Sequence, residues 1–335
     1  MRHLKGTVVL PLMAALLIAA PGVHAQAAKA SAQALLERMT SAFLQEDYDG
    51  IFTYFNGDQL ASLRVVHKVV DGQQRERLLH LDGAPREIIR KGEEVVCIVM
   101  PEDDIAVLEQ SIPKGPFARA FVREFDRLTN VYQVQHMGEG RVANRKAVRL
   151  AVAPLDRHRY GYQLYLDAET SLLLRSDVVD NRGNSLETFQ FNHIQIGNVD
   201  DAALEPSDMS GSMVSHLTLK GRDHLPAPAP MQQRRVRWQL GWQPAGFRMA
   251  MQDLRTKPSS ELVDSLIYSD GLATFTIFVE RMPRSGAASM TSSSGATVAI
   301  TRGIKAEGQG FLATLVGEIP SETGRKIIES LQAEE

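Results

Sequence analysis

The chain has 335 residues, a formal net charge of −3 at pH 7 and one cysteine. This length allows two domains, and the slightly acidic balance is not that of a protein that binds nucleic acid through a basic surface. A lone cysteine excludes an internal disulfide framework, although an intermolecular bridge in a homodimer stays compatible with it.

The first 25 residues have the pattern of a secretory signal peptide. Arg2 and Lys5 precede the apolar run TVVLPLMAALLIAA, and Val23-His24-Ala25 offers small residues at the positions that a signal peptidase reads. The alternative is a membrane anchor, but the run contains Pro11 and is shorter than the roughly 20 apolar residues of a membrane span. We therefore predict export, cleavage after Ala25 and a soluble mature chain.

An amphipathic helix and a meandering antiparallel sheet are predicted next. The helix covers 31–47, and its apolar face consists of Leu35, Leu36, Met39 and Phe43. Short runs rich in Val, Ile, Phe and Tyr follow, separated by turns in which glycine supplies the positive φ: Asn56-Gly57, Asp71-Gly72, Asp82-Gly83 and Lys91-Gly92. Cys97 lies in the apolar run VVCIVM and is predicted to be a buried thiol rather than a reactive one.

The segment 115–128, GPFARAFVREFDRL, has phenylalanines at helical spacing and predicts a second helix against the sheet. Strand patterns resume from 131 to 197. About ten strands with two helices predict a large, strongly curved sheet that forms an open or closed barrel.

The remaining chain is predicted to contain a linker and a second domain. Residues 211–232 are poor in periodic apolar residues and contain the extended run PAPAP, which is typical of a linker. Six strand patterns and a closing helix over 321–331 then predict a small α+β domain. The predicted organisation is a signal peptide at 1–25, a large domain at 26–210, the linker at 211–232 and a small domain at 233–335.

The sequence contains no recognisable catalytic or metal-binding motif. G-x-S-x-G, H-E-x-x-H, C-x-x-C, the Walker loop and G-x-G-x-x-G after a strand are all missing, and the histidines have no metal-ligand spacing. We predict a protein that is not an enzyme and uses no metal or cofactor. An enzyme whose site is assembled from distant residues is an alternative that no pattern supports.

Charged and apolar residues alternate in a way that allows two interpretations of the predicted sheet. Arg86, Glu87 and Arg90 surround Ile88-Ile89, and cross-strand ion pairing on a solvated face is the favoured interpretation. Adjacent apolar residues in VVCIVM give that strand apolar neighbours on both faces, so the interior of the sheet is either filled or a lipid-sized cavity. Basic residues on the rim of such a cavity would suit a ligand with a fatty body and a phosphate head.

Longer phrases of the sequence resemble a known family. GIFTYFNGDQLASLRVVHKVVDGQQRERLLHLDGAPREIIRKGEEVVCI and DRHRYGYQLYLDAETSLLLRSDVVD resemble the N-terminal domain of the MucB/RseB family of periplasmic regulators, and GWQPAGF, YSDGLATFTIFVE, GATVAITRG and TLVGEIP resemble its second domain. The resemblance implies a large domain similar to LolA and LolB, an unclosed β-barrel with a hydrophobic cavity, joined to a smaller sheet-plus-helix domain.

The resemblance also implies a function. Members of the family bind the periplasmic segment of a membrane-spanning anti-sigma factor, RseA or MucA, and shield it from regulated proteolysis until lipopolysaccharide or a related lipid loosens the complex. The expected location is the periplasm. The alternative to a regulator is a periplasmic lipid or lipoprotein carrier of the LolA/LolB type, although a carrier has no need of the second domain.

No short motif defines the binding surfaces of the family, so the site residues are hypotheses from pattern. The expected lipid-binding residues are Phe52, Tyr54, Leu79, Arg86, Arg90, Ile98 and Arg159. The expected partner-binding residues are Arg234, Arg235, Trp238, Trp242 and Phe247, and packing of these aromatic residues in a core is the alternative.

Overall fold

The structure, a computed structural model, describes residues 21–92, 94–99, 130–207, 213–218, 236–256, 262–282 and 289–334. The predicted helix at 115–128, the expected partner-binding residues Arg234 and Arg235 and most of the predicted signal peptide lie outside these ranges. Neither helix of the described ranges has the length and apolar character needed to cross a bilayer.

A single antiparallel sheet of eleven strands forms the large domain, in the order β11-β5-β4-β3-β2-β1-β10-β9-β8-β7-β6. Its two ends, β11 and β6, do not pair with each other, so the sheet is unclosed. The strands are β1 Tyr48–Phe55, β2 Leu60–Val70, β3 Gln73–His80, β4 Arg86–Lys91, β5 Glu94–Val99, β6 Tyr132–Val142, β7 Arg145–Pro154, β8 Gly161–Asp167, β9 Leu173–Val179, β10 Ser185–Ile196 and β11 Met213–Thr218.

Within the described ranges, the small domain contains a six-stranded sheet in the order β13-β14-β15-β18-β17-β16, a two-stranded sheet of β12 and β19, and one helix. The predicted fold class, mainly β with a large unclosed sheet joined to a smaller sheet-plus-helix domain, is confirmed. The elements are β12 Trp238–Leu240, β13 Arg248–Thr256, β14 Leu262–Ser269, β15 Thr274–Arg281, β16 Met290–Ser294, β17 Thr297–Ala306, β18 Gln309–Gly317, α2 Ser321–Glu329 and β19 Leu331–Ala333.

Helix α1, Pro21–Gln45, packs against the inner face of the large sheet. Its buried side chains include Leu36, Met39 and Phe43, which confirms the predicted apolar face. The helix begins ten residues before the predicted start at Ser31, across the predicted cleavage position. The extension has a physical reason, because 21–30 begins with proline, which suits the first helical position, and is rich in alanine, the strongest helix former.

The predicted turns are confirmed, as the hairpin between β2 and β3 illustrates. Asp71 and Gly72 have φ angles of 52° and 74°, the pair of left-handed residues that a two-residue hairpin with the twist of the sheet requires. Cys97 is fully buried, as predicted, so its thiol cannot reach a second chain in this conformation.

Strand β11 lies inside the stretch 211–232, which the sequence pattern assigned to a linker. It pairs with β5 in full register, from Met213 opposite Val99 to Thr218 opposite Glu94. The large sheet therefore extends beyond 210, and its last strand is separated from β10 by the covering segment 199–207.

Candidate functional site

The expected lipid-binding residues do not share one face of the sheet. Phe52 is opposite Leu63 on β2, and Val65, two positions further along β2, is on the same side of the sheet. Val65 is opposite Leu78 on β3, and Leu78 is opposite Ile88 on β4. Because directly opposite residues of antiparallel strands point to the same side, Phe52 and Tyr54 lie on the face that packs toward α1, here called the inner face. Arg86 and Arg90 have the same parity as Ile88, so they also belong to the inner face.

Leu79 and Ile98 lie on the opposite, outer face. Both are aligned with Glu87, since Leu79 is opposite Glu87 on one side and Ile98 is opposite Glu87 on the other. The expectation that they line one cavity with Phe52 is therefore not met. The sequence does not reveal this difference, because adjacent apolar residues in a strand do not show which of its two faces is buried.

The outer face of β2 to β4 is covered by residues 199–207. Arg77 donates to Glu87 at 2.6 Å, to the Ala203 carbonyl at 3.0 Å and to the Ser207 hydroxyl at 2.6 Å. The predicted cross-strand ion pairing is thus confirmed at Arg77 and Glu87, but the pair is buried rather than solvated, with side-chain exposures of 11% and 0%. This surface is closed by the protein's own chain.

The inner face carries a cluster of aromatic rings near the pairing of β1 with β10. The ring centroid of Phe52 lies 4.8 Å from that of Phe189 and 5.9 Å from that of Phe191, and Tyr48 lies 6.4 Å from Phe191. Gly50 makes room for this packing, because a Cβ at that position would lie 2.6 Å from the Phe191 ring. Such a cluster suits acyl chains, since it is apolar and holds few hydrogen-bonding groups.

Tyr54 connects this cluster to a buried acid. Its hydroxyl donates to Glu187 Oε2 at 2.8 Å, and Glu187 Oε1 accepts the backbone N–H of Ala296 in the small domain at 2.9 Å. Burial, together with the nearby Glu187 carboxylate, raises the pKa of Tyr54 well above its ordinary value. Tyr54 therefore stays protonated and acts as a hydrogen-bond donor at any physiological pH.

Arg159 lies at the junction of the two domains rather than on a cavity rim. Its side chain is fully buried, forms a salt bridge with Asp270 of the small domain and donates two hydrogen bonds to Asp156, at 3.1 and 2.9 Å. The guanidinium also lies 5.1 Å from the Phe247 ring centroid and 5.6 Å from that of Tyr132. The expectation that Arg159 meets a lipid phosphate is corrected, because its guanidinium is already paired with Asp156 of the large domain and Asp270 of the small domain.

The junction contains further contacts that the sequence pattern did not reveal. Tyr132 donates to Asp270 at 3.3 Å, and Leu272 of the small domain is 8% exposed within the core cluster of the large domain. His158 hydrogen-bonds Thr323 on α2 at 3.1 Å. Burial lowers the pKa of His158, while the Asp156 carboxylate opposes that shift. These residues are far apart in the chain, so no local pattern brings them together.

Two of the three expected partner-binding aromatic residues within the described ranges, Trp238 and Phe247, are packed in the core of the small domain. Trp238 is 2% exposed with its ring centroid 5.0 Å from that of Phe311, and Phe247 is 2% exposed. Core packing is thus the correct interpretation for both. Trp242 is half-buried at the junction, where Lys326 Nζ lies 3.8 Å from its ring centroid.

No group of three His, Cys, Asp or Glu residues within the described ranges is placed to hold a metal ion. Among the described residues, two features could take part in binding or signalling: the aromatic inner face, with Arg86 and Arg90 on the same side, and the domain junction.

Comparison with known proteins assigns both domains to one family. The family model of the MucB/RseB N-terminal domain matches residues 31–213, and that of the MucB/RseB C-terminal domain matches residues 232–332. The chain is 33% identical over 332 residues to the sigma factor AlgU regulatory protein MucB of Pseudomonas aeruginosa, a match that covers 98% of each chain. It is 28% identical over 301 residues to the sigma-E factor regulatory protein RseB of Escherichia coli K12, covering 89% of this chain and 90% of that protein.

Solved structures agree with this assignment. The chain resembles MucB in complex with MucA(peri) with a TM-score of 0.74 at 29% identity, covering 91% of this chain and 99% of that one. It resembles the crystal structure of MucB with a TM-score of 0.61 at the same identity, covering 91% and 98%. With both domains matched in order, the chain belongs to the MucB/RseB family.

Proposed function

We propose that the protein is a periplasmic negative regulator of an envelope-stress sigma factor, which binds the periplasmic segment of a MucA- or RseA-like anti-sigma factor and shields it from proteolysis. The observation that carries this proposal is the match to MucB in complex with MucA(peri), which spans both domains at a TM-score of 0.74. The protein acts by binding rather than by catalysis.

The inner face supports a second part of the proposal, in which lipopolysaccharide or a related acylated lipid releases the anti-sigma factor. The partly buried rings of Phe52 and Phe189 are the proposed contacts for acyl chains, and Arg86 and Arg90 lie on the same side of the sheet as candidates for phosphate. A lipid that releases the partner must bind the partner-free conformation more tightly, and the partner must then weaken lipid binding by the same factor.

A pull-down experiment tests both parts. The anti-sigma factor's periplasmic segment from the same organism is immobilised, and the segment of an unrelated single-span protein serves as the control. We expect specific retention of the protein, protection of the segment from its protease, and loss of both on addition of lipopolysaccharide. Equal retention by the two segments would refute the regulator, and retention that lipid leaves unchanged would remove the lipid control.

The phosphate contact has its own matched variants. Arg86→Glu reverses a half-buried charge on the inner face, and Lys91→Glu makes the same reversal at an exposed position of the same strand on the outer face. We expect Arg86→Glu to weaken binding of lipid A by roughly ten-fold, the loss of one charge-assisted contact, while Lys91→Glu binds as the parent does. Equal affinities would show that Arg86 does not meet the phosphate.

The runner-up, a lipid or lipoprotein carrier of the LolA/LolB type, would bind lipid without retaining the anti-sigma segment. The junction argues against it, because the small domain is fixed to the large one by the buried Arg159–Asp270 pair and by Leu272. A carrier built on the large sheet alone has no use for that attachment.

A further inference from the structure

Glu187 joins the aromatic inner face to the small domain through a single carboxylate. One oxygen accepts from the Tyr54 hydroxyl at 2.8 Å, and the other accepts from the Ala296 backbone at 2.9 Å. Glu187 is 8% exposed and Ala296 1%. Tyr54 is also directly opposite Phe189 on β10, and Phe189 contacts Phe52. A ligand that displaces these rings would therefore also displace the Tyr54 hydroxyl, which donates to Glu187.

The turn between β16 and β17 fits tightly beside this carboxylate. Gly295, with a φ of 55°, has no space for a side chain, because a Cβ would lie 2.4 Å from the Asn56 carbonyl oxygen and 2.7 Å from Glu187 Oε1. Gly57 approaches the same turn, since its Cβ would lie 3.2 Å from Gly295. The turn is thus seated between the β1–β2 turn and Glu187.

The electrostatics of Glu187 differ from those of Asp270. Asp270 is paired with Arg159, whereas Glu187 forms no ion pair with any residue of the described ranges. A buried carboxylate without a cation depends on its hydrogen bonds to replace the lost hydration. Removal of the Tyr54 hydroxyl would leave Glu187 with the Ala296 N–H as its remaining donor among the described residues, which makes this contact the easier of the two to open.

We propose that Glu187 is a positioning residue that couples the inner face to the small domain: an acyl chain among Phe52, Phe189 and Tyr54 withdraws the Tyr54 hydroxyl, and the β16–β17 turn then leaves its seat. The proposal rests on the proposed function, because it names how lipid would change the domain arrangement. With the turn seated, the chain resembles MucB in complex with MucA(peri) more than MucB alone, with TM-scores of 0.74 and 0.61.

Hydrogen exchange of the backbone amides at 290–301 measures whether the β16–β17 turn stays packed between the β1–β2 turn and Glu187. The measurement does not need the anti-sigma factor. We expect purified lipid A to raise exchange at this segment in the parent protein. Tyr54→Phe, which removes only the hydroxyl, should raise exchange without lipid by roughly ten-fold or more, since a hydrogen bond to a charged group is lost. Tyr165→Phe is the matched control, because the Tyr165 hydroxyl makes no hydrogen bond within the described ranges.

A conservative second change separates coupling from general loss of structure. In the Tyr54→Phe background, Glu187→Gln keeps an oxygen that can accept from Ala296 but removes the charge that the missing hydroxyl had stabilised. We therefore expect the double variant to recover most of the parent's protection at 290–301. A merely structural role of Tyr54 would leave the double variant as exposed as the single one.

The outcomes distinguish the coupling from the function on which it rests. If lipid A binds the parent in a sedimentation assay but exchange at 290–301 does not change, the coupling is overturned while lipid binding stands. Parent-like exchange in Tyr54→Phe overturns it as well. If lipid A does not bind at all, the lipid control and the coupling both fail. Failure of the anti-sigma segment to bind would remove the partner alone, because exchange is measured without it.

Discussion

Replacing Asp270 by Asn should weaken the junction by leaving the buried Arg159 without its interdomain counter-ion. Both side chains of the pair have 0% exposure, and removal of one partner from a buried pair costs about 3–5 kcal/mol. Arg159 keeps its two hydrogen bonds to Asp156, so we expect the lower end, about 3 kcal/mol. The turn itself should survive, because an Asn oxygen can still accept from the Leu272 and Ala273 N–H groups, as Asp270 Oδ1 does.

Urea unfolding followed by tryptophan fluorescence measures this effect. Both tryptophans of the chain, Trp238 and Trp242, are in the small domain, and the Trp242 ring centroid lies 5.1 Å from that of His158 across the junction. A loss of about 3 kcal/mol with a denaturant slope of about 2 kcal/mol per molar lowers the midpoint by about 1.5 M. An unchanged midpoint for Asp270→Asn would refute the reasoning.

Two further variants control this measurement. Asp201→Asn removes the carboxylate of the solvent-exposed pair with Lys68, where the carboxylate side chain is 76% exposed, and should leave the midpoint unchanged. Arg159→Met combined with Asp270→Leu should recover much of the lost stability, because apolar groups of similar volume often replace a buried pair without loss. If the double variant were less stable than Asp270→Asn alone, desolvation would not be the cause.

Three other changes test the junction by different means. Gly295→Ala should destabilise the protein by about 1–3 kcal/mol more than Gly308→Ala. The reason is that a Cβ at 295 would lie 2.4 Å from a backbone oxygen, whereas nothing lies within 4 Å of a Cβ at 308. Equal melting temperatures of the two variants would contradict the tight packing of the β16–β17 turn. His158 has its pKa lowered, first by burial, so its contribution to stability is present above the unfolded pKa of about 6.5 and is lost as pH falls through the folded pKa; His158→Gln should therefore flatten the melting temperature between pH 7 and 5. Leu272→Ala should cost about 2–5 kcal/mol, whereas Leu60→Ala, at a residue 67% exposed, should be near neutral.

Local chemistry explains which parts of the fold could be predicted. The paired turn residues and the apolar face of α1 depend on neighbours a few positions away, and the structure has them where the sequence predicts them. The sequence pattern does not predict strands β11, β16 and β19. Pairing with other strands, and not a pattern in their own residues, holds these segments in the extended conformation. The residues of β16, MTSSS, are all exposed and have no alternation of apolar and polar residues to recognise.

Long-range burial explains the errors at the site. Arg159 has the sequence pattern of a surface arginine, but its partner Asp270 is 111 positions away and in the other domain. The sequence predicts that Leu79 and Ile98 bind lipid beside Phe52, because the covering segment 199–207 on the outer face could not be foreseen from the strands beneath it. No local pattern singles out Glu187, for a related reason: its contact with the small domain depends on a turn 109 positions away in the chain.

The different contacts of Asp270 and Glu187 suggest what kind of movement the small domain can make. Asp270 is neutralised by Arg159, and Leu272 beside it enters the core of the large domain, so this contact resists separation in water. The Glu187 contact has no ion pair within the described ranges and depends on two hydrogen bonds. Breaking the Glu187 contact requires less free energy than breaking the Asp270 contact, because the Asp270 contact also buries the apolar surface of Leu272. We therefore expect the small domain to rotate about Arg159 while the β16–β17 turn leaves the large sheet, and not to dissociate as a unit.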